Sequence, residues 1–167
     1  FIVAHIHYVL FGGSLFAIFA GITFWYPKMF GRMMNERINK IHFAFTFVLY
    51  NLVFWPMHNL GLQGMMRRIY DFTQYEYLAP LQPMNQFISI CVFFLVATQA
   101  LYAFNFFWSM FRGEKAGNNP WDSNTLEWTV PSPPPHGNFP EMPVVYRGPY
   151  EYSSPESDTD FLPQTQP

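Results

Sequence analysis

His5 and His7 stand one residue apart at the head of a stretch with no Asp, Glu, Lys or Arg before Lys28. Imidazoles inside so apolar a segment mark a cofactor or a conduction pathway more often than simple packing. An α-helix turns about 100° per residue, so positions i and i+2 project roughly 200° apart. Two such rings do not easily close on one metal, but each can serve a different centre, one per helix face. A second pair, Arg67 and Arg68, follows Gly64-Met65-Met66. Guanidinium groups keep their charge and form forked hydrogen bonds to carboxylates, so adjacent arginines make a clamp for acidic cofactor groups. Two imidazoles and two guanidiniums at similar depth suit a haem pair, with iron taking the imidazoles and propionates the arginines.

Positioning such groups calls for membrane helices. Half of the 167 residues are hydrophobic and 21% aromatic, while only 12% are charged, against about 25% in an ordinary soluble domain. The mean hydropathy of +0.03 averages an apolar front with a polar tail. Three windows, 1–27, 41–66 and 77–111, contain no acid or base, and each exceeds the ~20 residues that a bilayer-crossing helix needs. The sequence therefore predicts an all-α, polytopic transmembrane bundle with spans at 1–27, 41–63 and 81–111. A loop at 28–40 and an outer loop at 64–80 join them, and an extended, Pro-rich tail occupies 112–167.

In the first loop Lys28, Arg32, Arg37 and Lys40 oppose a single acid, Glu36. Short basic loops stay on the cytoplasmic side, which places 28–40 and the tail in the cytoplasm or matrix. The head of the first helix then lies toward the same outer side as Arg67 and Arg68. Asn35 is a suitable N-cap for the second helix, and Trp25, Tyr26 and Trp108 lie near span ends, where amphipathic rings settle. The lone Cys91 leaves no disulfide framework and no cysteine metal site. It reads as a small buried apolar residue. The pattern of a secretory signal, a basic n-region and a short apolar core, is not seen. Three helices do not surround two haems, so the sequence reads as the C-terminal part of a larger membrane protein.

The run Val3-Ala4-His5-Ile6-His7-Tyr8-Val9, then Phe24-Trp25-Tyr26-Pro27-Lys28-Met29 and Gly31, closely resembles the tenth helix of subunit I of the haem–copper oxidases. Lys40-Ile41-His42-Phe43, Trp55-Pro56-Met57-His58 and Gly61-Leu62-Gln63-Gly64-Met65-Met66-Arg67-Arg68 resemble the eleventh helix and the loop after it. Asn119-Pro120-Trp121, Thr125-Leu126-Glu127-Trp128 and Ser132-Pro133-Pro134-Pro135 are similar to the tail after the twelfth. The resemblance implies that His5 is the axial ligand of the high-spin haem iron in the catalytic centre. It likewise makes His7 an axial ligand of the low-spin haem, with Arg67 and Arg68 bonding the propionates. It implies two haems of the a type, with copper ligated elsewhere in the parent subunit and by no residue of this segment. Tyr8 fits the cytochrome c oxidase branch better than the quinol oxidases. Ile6 stands where many members carry phenylalanine, and Phe11-Gly12-Gly13 where mitochondrial members commonly carry Ser-Met-Gly. The copper ligands, the cross-linked tyrosine, the second ligand of the low-spin haem and the proton-entry channels belong to earlier helices. The segment alone is therefore expected to be inactive.

The function so implied is part of the catalytic subunit of a terminal respiratory oxidase. Electrons from cytochrome c pass through the low-spin haem to the haem–copper centre, which reduces dioxygen to water, coupled to proton translocation. The implied partners are the remaining helices of the same subunit, other subunits including the copper-containing subunit II, cytochrome c, dioxygen and membrane lipid, with no nucleic acid. The implied location is a bacterial cell membrane rather than the mitochondrial inner membrane. Three alternatives stay open: a quinol oxidase of the same family, a di-haem membrane electron carrier, and a transporter bundle whose histidines relay protons.

The other candidates have bland readings. His42 and His58 flank the second span and read as interfacial histidines bonded to loop carbonyls or water. His136, in the tail, reads as solvated, and the methionines read as gap-fillers. The tail holds eleven of the fifteen prolines and eight of the eleven acids. Its Pro-Ser-Pro-Pro-Pro run favours extended chain, and 153–167 reads as disordered. Trp121, Leu126 and Trp128 are expected to pin its near part.

Overall fold

The computed structural model describes residues 1–152, 154–155 and 157–167. Among them are helices, turns and two isolated bridges, with no strand longer than a bridge. The chain divides into two compact units, Phe1–Gly21 with Asn35–Phe107, and Ile22–Met34 with Trp108–Pro167.

The first helical rod comprises α1 (Ile2–Val9), a π-helical segment Leu10–Leu15, and α2 (Phe16–Phe30). It extends three residues past the expected end at 27. The second helix, α3 (Glu36–Leu62), starts directly after its expected cap Asn35, whose side chain accepts from the Ile38 N–H at 3.1 Å, so the helix opens five residues before the span expected from 41. A side-chain cap of this kind satisfies one of the orphan donors of the first turn. The outer stretch holds two short 3₁₀ segments, Phe72–Gln74 and Glu76–Leu81, and leads into α4 (Gln82–Arg112).

Two helical stretches, Ile2–Phe30 and Glu76–Arg112, are long and apolar enough to cross a membrane. Helix α3 has the length, at 27 residues, but its interior carries Asn51, Pro56, His58 and Asn59 and falls short of the same apolarity. Three charge-free windows were thus readable, but a window without charge still admits enough amide and imidazole to dilute a span.

In the first unit, α1 packs on α3. A core of Tyr50, Val53, Phe54 and Leu60 from α3 meets Leu78 and Leu81 from the 3₁₀ stretch and Ile88, Cys91 and Leu95 from α4. Cys91 is buried there as a small apolar residue. Asn105 of α4 is fully buried. Its Nδ2 donates to the Asn35 carbonyl at 3.1 Å and to Asn39 Oδ1 at 2.8 Å, and its Oδ1 accepts from the Asn35 N–H at 3.2 Å. Many other apolar side chains, Phe93, Phe94 and Phe107 among them, stand exposed. Such a surface suits lipid or further helices rather than water.

In the second unit the near tail closes on the end of α2. Trp121 donates its indole N–H to the Phe24 carbonyl at 2.9 Å, and the buried Trp128 ring meets the Phe24 ring edge-on at 5.1 Å. Lys28, expected in a solvated loop, is instead buried inside α2. Its ammonium donates to the carbonyls of Val130 at 2.5 Å and Asn118 at 3.0 Å, with Pro131 at 3.5 Å, and lies 5.0 Å from the Trp128 ring centre. Arg32 donates to the Gly113 carbonyl at 2.6 Å. The basic loop is thus partly sequestered by the tail, while Lys40 pairs at the surface with Glu36, whose carboxyl it holds below the usual range.

The described part of 153–167, expected to be disordered, is drawn back. Gln164 accepts from the Tyr146 N–H at 2.9 Å and donates its side-chain amide to the Arg147 carbonyl at 3.0 Å, and Leu162 is buried. Proline removes N–H groups, but the residues between prolines keep theirs, and these make the return contacts. Ser153 and Glu156, within that stretch, lie outside the described residues.

Candidate functional site

The site is built on the first turns of α1 and on the outer stretch that follows α3, all in the first unit. His7 is exposed, and its Nδ1 lies 2.8 Å from the Val3 carbonyl one turn back. A carbonyl only accepts, so Nδ1 carries the proton and the Nε2 lone pair is left free. An imidazole that donates one nitrogen to a backbone carbonyl and offers the other is the usual arrangement of a metal-bound histidine. The ring lies nearly parallel to Phe54 of α3, with centroids 5.4 Å apart, which fixes its plane.

His5 lies in different surroundings. It lines a cleft of about 240 Å³ with Tyr8, Val9, Trp55 and His58. No hydrogen bond holds its ring among the described residues, so only the helix backbone sets its direction. The two imidazoles, two residues apart, therefore meet different neighbours.

Arg67 and Arg68 line a cavity of about 510 Å³ whose wall includes Phe1, Val3 and Ala4 from the head of α1 and Leu60 and Gly61 from the end of α3. Arg68 has a positive φ of 63°, a conformation that turns the chain sharply at the cavity. Both guanidiniums are exposed, and among the described residues neither forms an ion pair. The nearby Asp71 is occupied locally: the Thr73 hydroxyl and N–H hold its carboxyl below the ordinary range. The structure thus brings Arg67 and Arg68 to the same end of α1 as the histidines. Neither His5 nor His7 lines the arginine cavity itself.

Among the described residues no three His, Cys, Asp or Glu side chains come together as a metal cage. An iron held here would take one imidazole from this chain, which is what a haem, already four-coordinate in its macrocycle, requires of a ligand helix. The residues present fit such a group: a bare Nε2 on a fixed ring, a second imidazole in a separate cleft, and two unpaired guanidiniums by an open cavity.

His58 donates Nδ1–H to the Phe54 carbonyl of its own helix at 2.9 Å, rather than to a loop. His42 is buried, with Nε2 3.2 Å from Gln99 Oε1, and Gln99 in turn donates to Thr46 at 3.1 Å. It links α3 to α4 rather than bonding a loop carbonyl. The residues that sequence reasoning passed over are those that grip α1 from α3. Tyr8 donates its hydroxyl to Asn51 Oδ1, and Tyr50 donates to the Tyr8 carbonyl at 2.9 Å. An asparagine inside a charge-free window was the available signal, since buried amides in membrane helices seek a partner.

Comparison with known proteins shows the family of the chain. Residues 1–94 match the model of the family described as cytochrome C and quinol oxidase polypeptide I. A cytochrome c oxidase subunit 1 of a Synechocystis strain is 50% identical over 164 residues, covering 97% of this chain and 28% of its own length. An alternative cytochrome c oxidase subunit 1 of Bradyrhizobium diazoefficiens is 42% identical over 170 residues, 100% of this chain and 29% of its own. A cytochrome c oxidase subunit 1 of Bacillus subtilis is 44% identical over 146 residues, 87% and 23% respectively. The chain spans about a quarter of the length of these relatives. With more than half of its residues inside the family match, this apolar helical chain belongs to the cytochrome c and quinol oxidase polypeptide I family.

Proposed function

We propose that this chain is the C-terminal portion of the catalytic subunit of a terminal respiratory oxidase and carries one ligand for each of two haems. The observation that carries the proposal is the His7 ring: its Nδ1–H is engaged by the Val3 carbonyl at 2.8 Å, leaving Nε2 for iron. His7 would hold the low-spin haem and His5 the high-spin one, with Arg67 and Arg68 as donors to their propionates. When bound, the haems supply one-electron carriage and, with copper ligated elsewhere in the parent subunit, the reduction of dioxygen. The chain's own residues do the placing. One backbone carries both imidazoles, so their separation is set by two residues of helix rather than by a loop. Arg67 and Arg68 would hold fixed positive charge beside a cofactor bound in their cavity and would favour its reduced form.

In this reading α3 is the middle of three spans. Three polar side chains of its interior turn to α1 and α4: Asn51 toward Tyr8, and His42 and Thr46 toward Gln99. The basic stretch 28–40 and the tail lie on the cytoplasmic side of a bacterial membrane. Cytochrome c is the proposed donor, with the copper-containing subunit II and the earlier helices of the same subunit as partners. Tyr8 supports this donor over quinol.

The test uses the full-length protein in its complex. A pyridine haemochrome assay should find two haems, and carbon monoxide should bind one of them, because only an iron with an open sixth position takes it up. Two haems without carbon monoxide binding would point to an electron carrier, and no haem to a transporter. Oxidation of reduced cytochrome c rather than quinol separates the two oxidase branches.

A further inference from the structure

The first rod changes from α to π spacing at Leu10, directly after the turn that carries His5 and His7. A π segment inside an α-helix recurs at functional sites, where its extra residue re-aims the side chains on either side. One added residue swings the flanking helix by about 100°, so the position of the junction decides where both imidazoles point.

The Tyr8 carbonyl lies at this junction, four residues before Gly12. Tyr50 of α3 donates its hydroxyl to that carbonyl at 2.9 Å, and its ring packs on Tyr8 with centroids 4.6 Å apart. This approach requires glycine at position 12. A Cβ there would meet the Tyr50 hydroxyl at 2.6 Å and its Cζ at 3.3 Å. The neighbouring Gly13 has nothing within 4 Å of an added Cβ, so of the two glycines only Gly12 has a steric reason to be one. The Tyr8 side chain is itself held, by Asn51 one residue beyond Tyr50. Helix α3 thus grips both the carbonyl and the hydroxyl of the residue next to His7.

We propose that Tyr50 is a positioning residue for the haem ligands: its hydroxyl, seated over Gly12, fixes the α-to-π junction and with it the directions of His5 and His7. The proposal rests on the haem reading above. An imidazole–iron bond is directional, and what holds the ring tunes the metal. A rotated turn therefore registers in the spectra of the haems even when the protein remains folded.

The experiment uses the assembled full-length oxidase. Tyr50→Phe removes one oxygen atom and keeps the ring. The expected result is unchanged haem content by pyridine haemochrome, with shifted g-values of the low-spin haem in electron paramagnetic resonance. A shifted iron–histidine stretch of the high-spin haem in resonance Raman should accompany it. Gly12→Ala should shift the same signatures by pushing the hydroxyl away. In a Tyr50→Val background it should add no further shift, because the atom it would collide with is gone. Unchanged signatures in Tyr50→Phe would overturn the proposal, and so would a Gly12→Ala shift that is equal in both backgrounds. Loss of both haems from Tyr50→Phe would make the hydroxyl a general packing requirement and would also overturn it. Absence of haem from the unsubstituted oxidase would instead overturn the haem reading, and the proposal with it.

Discussion

Replacing Asn105 by leucine should loosen the start of α3 without touching a cofactor ligand. Asn105 makes three hydrogen bonds there, two to the backbone of Asn35 and one to the side chain of Asn39. Leucine fills a similar volume and leaves all three groups without that partner. Asn35 is exposed and Asn39 half-buried, so water can reach what the substitution abandons. The loss per bond is then the net value of about 0.5–1.5 kcal/mol rather than the full cost of a dry orphan, or about 1.5–4.5 kcal/mol for the three. At about 1.4 kcal/mol per factor of ten, this corresponds to roughly ten- to thousand-fold faster local opening. The amides to watch are Ile38, which donates to Asn35 Oδ1, and Asn39, which donates to the Asn35 carbonyl. Hydrogen-exchange mass spectrometry of the purified oxidase in detergent or nanodiscs reads both. Asn105→Asp should open the turn further, since a carboxylate would face the Asn35 carbonyl and Asn39 Oδ1, two acceptors. Exchange at Ile38 and Asn39 within threefold of the parent in Asn105→Leu would refute the reasoning.

Three further outcomes are expected of the full protein. Replacing His7 with a residue that cannot ligate should abolish the low-spin haem spectrum, while replacing His5 should chiefly damage the oxygen-binding centre; loss of one and the same centre in both variants would contradict the two-haem assignment. Arg67→Gln and Arg68→Gln should lower the reduction potential of a nearby haem with haem content largely kept, and lysine should restore part of it but not the forked geometry; redox titration is the check. Lys28→Met should break the contacts to Val130 and Asn118, each worth about 1.5–3 kcal/mol for a charged donor before the desolvation of the ammonium is offset; limited proteolysis should then cut near 118–131 faster than in the parent, and an unchanged cleavage rate would show that the cage contributes nothing.

The sequence made the helices legible because charge is so costly in a membrane that its absence marks them. The Asn35 cap, the burial of Cys91 and the pinning by Trp121 and Trp128 were readable for local reasons: a side-chain acceptor before an apolar run, a lone thiol inside one, and indoles flanking one. The π segment was not readable, since six residues containing Gly12 and Gly13 show too little side-chain pattern to separate two helical periods. Nor was the pairing of Tyr50 with Gly12, which lie far apart in the chain and meet only once α1 packs on α3. Lys28 was misplaced because a lysine at the end of an apolar window looks solvated. Nothing in its neighbours shows that carbonyls some ninety residues later will surround it. In the site, the types and spacing of His5, His7, Arg67 and Arg68 were plain from the start, and what the fold adds is which nitrogen of His7 is left bare.

The caging of Lys28 has a consequence in time. Chains are made from the amino end, and Lys28 emerges 90 residues before Asn118, the first of its acceptors. At about 5–20 residues per second, that interval is roughly 5–20 s. Throughout it the helix that ends at Lys28 carries an unshielded ammonium at its trailing end, the kind of flanking charge that biases which way a helix sits in the bilayer. Only when Val130 and Pro131 have been added can the charge be enclosed. On the proposed orientation, one lysine would act first as an address label during insertion and afterwards as a latch on the finished tail.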